Sequence, residues 1–123
     1  MAFPGRDCAV PVVVGKYWIQ TVPDVNALIA LDVTDPARPV EVSRLVFGTD
    51  VEPHWLGADA SGRRLVTTSA DKDDPTLRLV DFDPATGVLS ARPDSPALSL
   101  RGITWPDGRR GDVVPHGVVF SRR

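Results

Sequence analysis

The chain has 123 residues, of which 42% are hydrophobic and 24% charged, and a formal net charge of -2, the composition of one globular domain rather than a disordered segment. The charge balance leaves no basic face for nucleic acid: Arg109, Arg110, Arg122 and Arg123 form the only basic patch and read as a solvated tail. A single cysteine excludes an internal disulfide and a cysteine zinc cluster, no stretch approaches the ~20 apolar residues of a membrane partner, and Met1 to Cys8 lacks a signal-peptide core, so the sequence reads as cytoplasmic.

Twelve prolines and ten glycines leave little room for long helices, because proline removes a backbone donor and glycine costs backbone entropy. Strand signals recur instead. Ala9 to Val14 is apolar and β-branched, Tyr17 to Val22 follows Gly15-Lys16, and Pro23-Asp24-Val25-Asn26 reads as a hairpin connection into Ala27 to Val33. Val40 to Phe47 completes four strands. Both alternating faces of Leu28 to Val33 are largely apolar, as in a strand covered on both sides.

The same order follows once more: Pro53 to Asp59, a turn at Ala60-Ser61-Gly62, Arg64 to Ser69, a polar loop from Ala70 to Pro75, Leu77 to Phe82, the turn Asp83-Pro84-Ala85-Thr86-Gly87, and Val88 to Arg92. In the two Pro-centred turns Pro36 and Pro84 pre-set the backbone angle, Asp35 and Asp83 can accept a backbone donor, and Gly87 can adopt positive φ. Beyond Arg92 only Ala97 to Leu100 and Gly102 to Trp105 could extend a strand. Pro115-His-Gly-Val-Val-Phe-Ser121 then reads like Pro53-His-Trp-Leu-Gly-Ala-Asp59.

The expected organisation is therefore all-β, with four-stranded antiparallel units at 9–48 and 49–93 and an irregular segment plus the inner strand of a further unit at 94–123. Units of this size are those of propeller blades, which close in rings of roughly 4 to 8. About two and a half units cannot close a ring, which points to the C-terminal part of a longer propeller, to a small open β domain, or to a ring closed by self-association.

Ala27-Leu-Ile-Ala-Leu-Asp-Val-Thr-Asp-Pro-Ala-Arg-Pro-Val-Glu-Val-Ser-Arg-Leu45 resembles the LVIVD propeller repeat, and Pro53-His-Trp-Leu-Gly-Ala-Asp-Ala-Ser-Gly-Arg-Arg-Leu-Val66 resembles the opening of a YVTN-type blade. Within such propellers Pro53-His54-Trp55-Leu56 and Pro115-His116-Gly117 are similar to the inner-strand histidine segments of the selenium-binding protein family, whose members include copper-dependent methanethiol oxidases. The resemblance implies a partial propeller in which channel-facing histidines bind a metal or small ligand. It also implies copper as the metal and a small thiol as the substrate of an enzymatic alternative; a non-catalytic protein-interaction module is the other alternative.

His54 and His116 are the only histidines, and neutral imidazole is a good copper or zinc ligand. Glu52 and Asp112 lie near them in sequence and could add oxygen ligands or orient the rings. Hydrogen bonding to a neighbouring strand or channel water is the competing role for both imidazoles. Cys8 reads as a free, structurally incidental thiol rather than a soft-metal or selenium ligand. Asp71-Lys72-Asp73-Asp74 lacks the glycine and closing glutamate of a calcium loop, Asp32 and Asp81 are expected to fix strand corners, and Trp18, Trp55 and Trp105 are expected to fill space between units. No phosphate loop, nucleophile elbow or catalytic triad pattern is present in the sequence.

Overall fold

The computed structural model describes residues 10–69, 71–95 and 97–121. β-Branched and aromatic residues at alternating positions, punctuated by Gly, Pro and Asp, produce two antiparallel meanders. The first sheet runs in order through β1 (Val12–Val14), β2 (Tyr17–Val22), β3 (Ala27–Asp32) and β4 (Val40–Val46). The second runs through β5 (Pro53–Ala58), β6 (Arg64–Ser69), β7 (Thr76–Asp83) and β8 (Val88–Ala91), and β9 (Leu98–Ser99) pairs with the start of β7. A small hairpin of β10 (Ile103–Thr104) and β11 (Arg110–Gly111) stands apart from both sheets. Among the described residues there is no α-helix, neither sheet is closed, and no helix is long and apolar enough to cross a membrane.

Strand parity decides the core. Tyr17 and Ile19 on β2 and Leu28 and Ala30 on β3 share one face, and they pack against Leu56, Leu65, Val80, Phe82 and Leu89 of the second sheet in one buried cluster. Each such aliphatic or aromatic side chain, when fully buried, contributes about 1.5–3 kcal/mol. Tyr17 is the junction: its ring meets Phe82 edge-on at 5.6 Å between centroids, and its hydroxyl reaches the carbonyl of Ala85 at 3.4 Å. Gly87 closes the turn before β8 with φ of 79°, and a Cβ there would stand 2.6 Å from the Tyr17 ring and 2.8 Å from Val42. That turn therefore needs glycine both for its backbone angle and for its approach to the first sheet. Ser43 adds a polar tie by accepting the Leu89 N–H at 2.9 Å.

The opposite face of the first sheet holds a second cluster of Val22, Ala27, Ile29 and Leu31. β3 is thus buried on both faces, as its sequence predicts. Trp18 corrects an expectation: it lies on this outer face, out of phase with Tyr17 and Ile19, and is 37% exposed. Trp105 is likewise 42% exposed, because its small hairpin does not pack between the sheets.

The remaining departures from the sequence reading have local causes. Pro23–Val25 forms one turn of 3-10 helix, ended by Asn26 in the left-handed conformation (φ 52°). β7 continues past Asp81 to Asp83, so Asp81 is no corner residue and instead pairs with Arg92 at 3.1 Å. The corner falls to Asp83, which accepts from the Ala85 N–H at 2.9 Å and the Thr86 hydroxyl at 2.8 Å. Asp35 accepts the Ala37 N–H in the earlier turn, as predicted. In the acidic loop Asp71 accepts the Asp73 N–H at 2.7 Å and Asp74 is paired with Arg78 at 2.9 Å, which leaves these carboxylates in structural roles. The segment predicted as a further inner strand, Pro115 to Ser121, forms no strand, because it has no partner to pair with among the described residues.

Asp32 does hold a corner. The Lys16 ammonium at 2.7 Å, together with the hydroxyl and N–H of Thr34 at 2.6 and 2.9 Å, lowers its carboxyl to about 2. A carboxyl depressed below its unfolded value of about 3.9 stabilises the fold above that value and loses this contribution as pH falls through the folded one. Between pH 4 and 2, wild-type stability measured by urea unfolding should fall more steeply than that of Asp32→Asn; parallel pH profiles would contradict the assignment. For the shared core, Leu65→Ala should cost about 2–5 kcal/mol and Val13→Ala, at a 62% exposed site, less than about 0.5 kcal/mol. Equal losses would mean that the sheets do not share a core.

Candidate functional site

The site is built on β5. Pro53 faces Ser69 and Leu56 faces Thr67, so His54 and Trp55 together stand opposite the single residue Thr68. An extra residue in one strand of a pair bends that strand and re-aims its side chains. The bulge is anchored by the Thr21 hydroxyl of β2, which donates to the His54 carbonyl at 2.7 Å, and by the Val10 N–H just before β1, which donates to the same oxygen at 3.4 Å. The backbone of His54 is thus fixed by both sheets. Its half-buried ring carries a buried Nδ1 with no hydrogen-bond partner among the described residues.

His116 comes to the same place from the far end of the chain. The two imidazole centroids are 5.2 Å apart, with the ring planes tilted by 54°. Trp55 makes this approach feasible. Its indole lies against two glycines: a Cβ on Gly57 would stand 2.7 Å from the ring and one on Gly117 3.2 Å from it. Pro115 is buried beside this contact, while His116 itself is exposed. The chain at Gly117 therefore rests against the Trp55 indole, and the Val118 carbonyl lies close over Gly57. An open groove of about 1500 Å³ runs alongside, lined by Val13, Trp55, Gly57, Arg64, Val118 and Phe120 among others.

The sequence-nominated residues divide accordingly. His54 and His116 are brought together. Asp112 is engaged elsewhere, accepting the Gly102 N–H at 2.8 Å and pairing with Arg101 at 3.3 Å, and Glu52 is exposed. Neither joins the histidines: among the described residues no group of three or more His, Cys, Asp or Glu side chains could hold a metal ion. Cys8 lies outside the described residues.

The anchoring by Thr21 and Val10 and the indole–glycine contact carry no motif. One trace was in the sequence: where one Pro-His segment has Trp55 the other has Gly117, a large residue matched to a small one, as two close-packed backbones require.

Fold and site together define an all-β protein of antiparallel sheets with a histidine pair beside an open groove. No protein-family model matches the chain, and no curated protein matches it. The crystal structure of a functionally unknown protein from Desulfotomaculum acetoxidans DSM 771 is similar to it, with a TM-score of 0.61 and 13% sequence identity over 75% of this chain and 28% of that chain. At that identity the likeness concerns the fold alone. The chain spans little more than a quarter of the protein it matches.

The Trp55 contact is testable by a double-mutant cycle. Gly57→Ala should destabilise the chain by about 1–3 kcal/mol through overpacking, and much less when introduced into Trp55→Ala, where the indole is gone. Strictly additive losses in chemical denaturation would show that the indole does not occupy the space over Gly57.

Proposed function

We propose that the chain comprises two blades of a β-propeller and the opening of a third, and that His54 and His116 form a binding site for a transition metal or small ligand on its inner side. Several observations support the blade reading. Each sheet is built on a four-stranded meander, the second with the short β9 added beside the start of β7, and the two pack face to face; the Pro-His openings at Pro53 and Pro115 recur in sequence. The matched share of the longer neighbour, 28%, is about what two blades would occupy in a ring of roughly seven.

The observation that carries the functional reading is the pairing of the only two histidines across 62 positions, at 5.2 Å between centroids, with the buried Nδ1 of His54 lacking a partner among the described residues. An unsatisfied buried nitrogen is unfavourable unless something binds it. Two imidazoles fit a copper or zinc ion as part of its coordination sphere. In this reading His54, fixed from both sheets through its carbonyl, is the positioned ligand, and His116, on the segment laid over Trp55, is the ligand that completes the pair. Copper bound there would supply one-electron redox chemistry, and the adjoining groove is where a small substrate would gain access.

Titration of the purified chain with copper(II) and with zinc(II), followed by calorimetry, tests the reading. One equivalent should bind per chain, and the site should be lost in both His54→Ala and His116→Ala. Stoichiometry and affinity unchanged in the two variants would refute it.

A further inference from the structure

Three buried side-chain polar atoms lack a hydrogen-bond partner among the described residues: His54 Nδ1, Thr68 Oγ1 and Asp74 Oδ2. Asp74 is compensated by its ion pair with Arg78 at 2.9 Å. The other two are not, and strand parity puts them on one face of the second sheet. Pro53 faces Ser69 and Leu56 faces Thr67, and residues directly opposite each other in an antiparallel pair point to the same side. Thr68, between Thr67 and Ser69, points to the other side. His54 follows Pro53 and Trp55 precedes Leu56, so both share the side of Thr68. Opposed Cβ atoms in such pairs stand about 4.5–5.5 Å apart. Thr68 is 1% exposed, so its hydroxyl must find a partner close by. Its neighbour on β7 is Leu77, which has no polar side-chain atom. The Trp55 Nε1 is turned to the terminal segment, 3.3 Å from where a Cβ on Gly117 would stand. Among these neighbours that leaves the His54 Nδ1. The other ring nitrogen, Nε2, makes no hydrogen bond among the described residues and lies on the open side of the half-buried ring.

We propose that Thr68 is the positioning residue of His54: its hydroxyl accepts from the Nδ1–H, holds the imidazole in the tautomer protonated at Nδ1, and leaves the Nε2 lone pair free to ligate. On the reading of the histidine pair as a metal site, on which this role rests, Nε2 is then the atom through which His54 meets the ion. A metal-ligating imidazole almost always donates its other N–H to a fixed acceptor, which sets the tautomer and makes the ligating nitrogen more basic. The partner that the buried Nδ1 requires is thus supplied from within the sheet, and one contact satisfies both orphaned atoms. No hydrogen bond joins them in the structure. The motion that closes the gap is small, because the imidazole χ2 has a broad minimum and a threonine hydroxyl rotates to suit its partner.

Histidine labelled with nitrogen-15 in the full chain, without added metal and at alkaline pH where a free imidazole is neutral, reports the tautomer of each ring through long-range proton–nitrogen correlations. Wild-type His54 should be protonated at Nδ1. Thr68→Val keeps the branched shape and removes the hydroxyl, so it should move His54 toward the Nε2–H form that free imidazole prefers and leave His116 unchanged. Thr68→Ser keeps the hydroxyl and should retain the wild-type tautomer, whereas a packing role for Thr68 would make the smaller serine the more disturbed variant. Zinc(II) affinity, measured by calorimetry on the same three proteins, should fall about 10–100-fold in Thr68→Val and stay close to wild type in Thr68→Ser. A wild-type His54 protonated at Nε2, or a tautomer that Thr68→Val leaves unaltered, would overturn the proposal; the wild-type spectrum decides even if Thr68→Val does not fold. Because the tautomer is read without metal, the two readings fail separately: a Thr68-dependent Nδ1–H with no zinc bound by any of the three proteins would uphold the Thr68 contact and refute the metal site.

Discussion

The layer in which Tyr17, Ile19, Leu28 and Ala30 meet Leu56, Leu65, Val80, Phe82 and Leu89 is the constraint on which the other features depend. Neither sheet can bury its apolar face alone, and two antiparallel sheets with clean alternation solve the problem by facing each other. Once they do, the position of β5 relative to β2 is set. The Thr21 hydroxyl then meets the His54 carbonyl, and the Gly87 turn meets Tyr17. A shift of one residue in the register of either central strand would turn these side chains to the opposite face and dissolve the arrangement.

The candidate site is a consequence of that layer and of one local irregularity. The bulge at His54 and Trp55 frees two side chains from the alternation that governs the rest of β5. One becomes the platform on which the terminal segment rests, and the other becomes the first imidazole. Gly117, at the point where a side chain would collide with the indole, lets the backbone come close enough to set His116 beside His54. The polar accounting around the site is uneven: the His54 carbonyl receives two donors, while the His54 Nδ1 and the Thr68 hydroxyl opposite the bulge are buried without partners among the described residues.

Much of the scaffold was legible. Tyr17–Val22 and Arg64–Ser69 are strands over the predicted ranges, since β-branched alternation between Gly and Pro signals leaves few other conformations. Gly87 and Asp83 behave as their turn chemistry dictates. What eluded the sequence lies where tertiary packing overrides local pattern. Trp18 reads as core by composition, yet its parity puts it on the outer face. Asp81 resembles Asp32 in sequence, but β7 continues two residues further and gives the corner to Asp83. The pairing of His54 with His116 could be anticipated from their shared proline prefix, whereas the absence of a third metal-ligating neighbour among the described residues could not. Asp112 was close in sequence only, and Arg101 and Gly102 claim it.

The central claim is that sheet packing and the Trp55 platform hold the two imidazoles together in the free chain. Because the protein has only two histidines, selective labelling of histidine gives an NMR spectrum with two imidazole systems and no ambiguity of assignment. Rings with centroids 5.2 Å apart should show nuclear Overhauser cross-peaks between His54 and His116 carbon-bound ring protons, lost when unfolding is induced with urea. The absence of any cross-peak between the two rings in the folded protein would contradict the account.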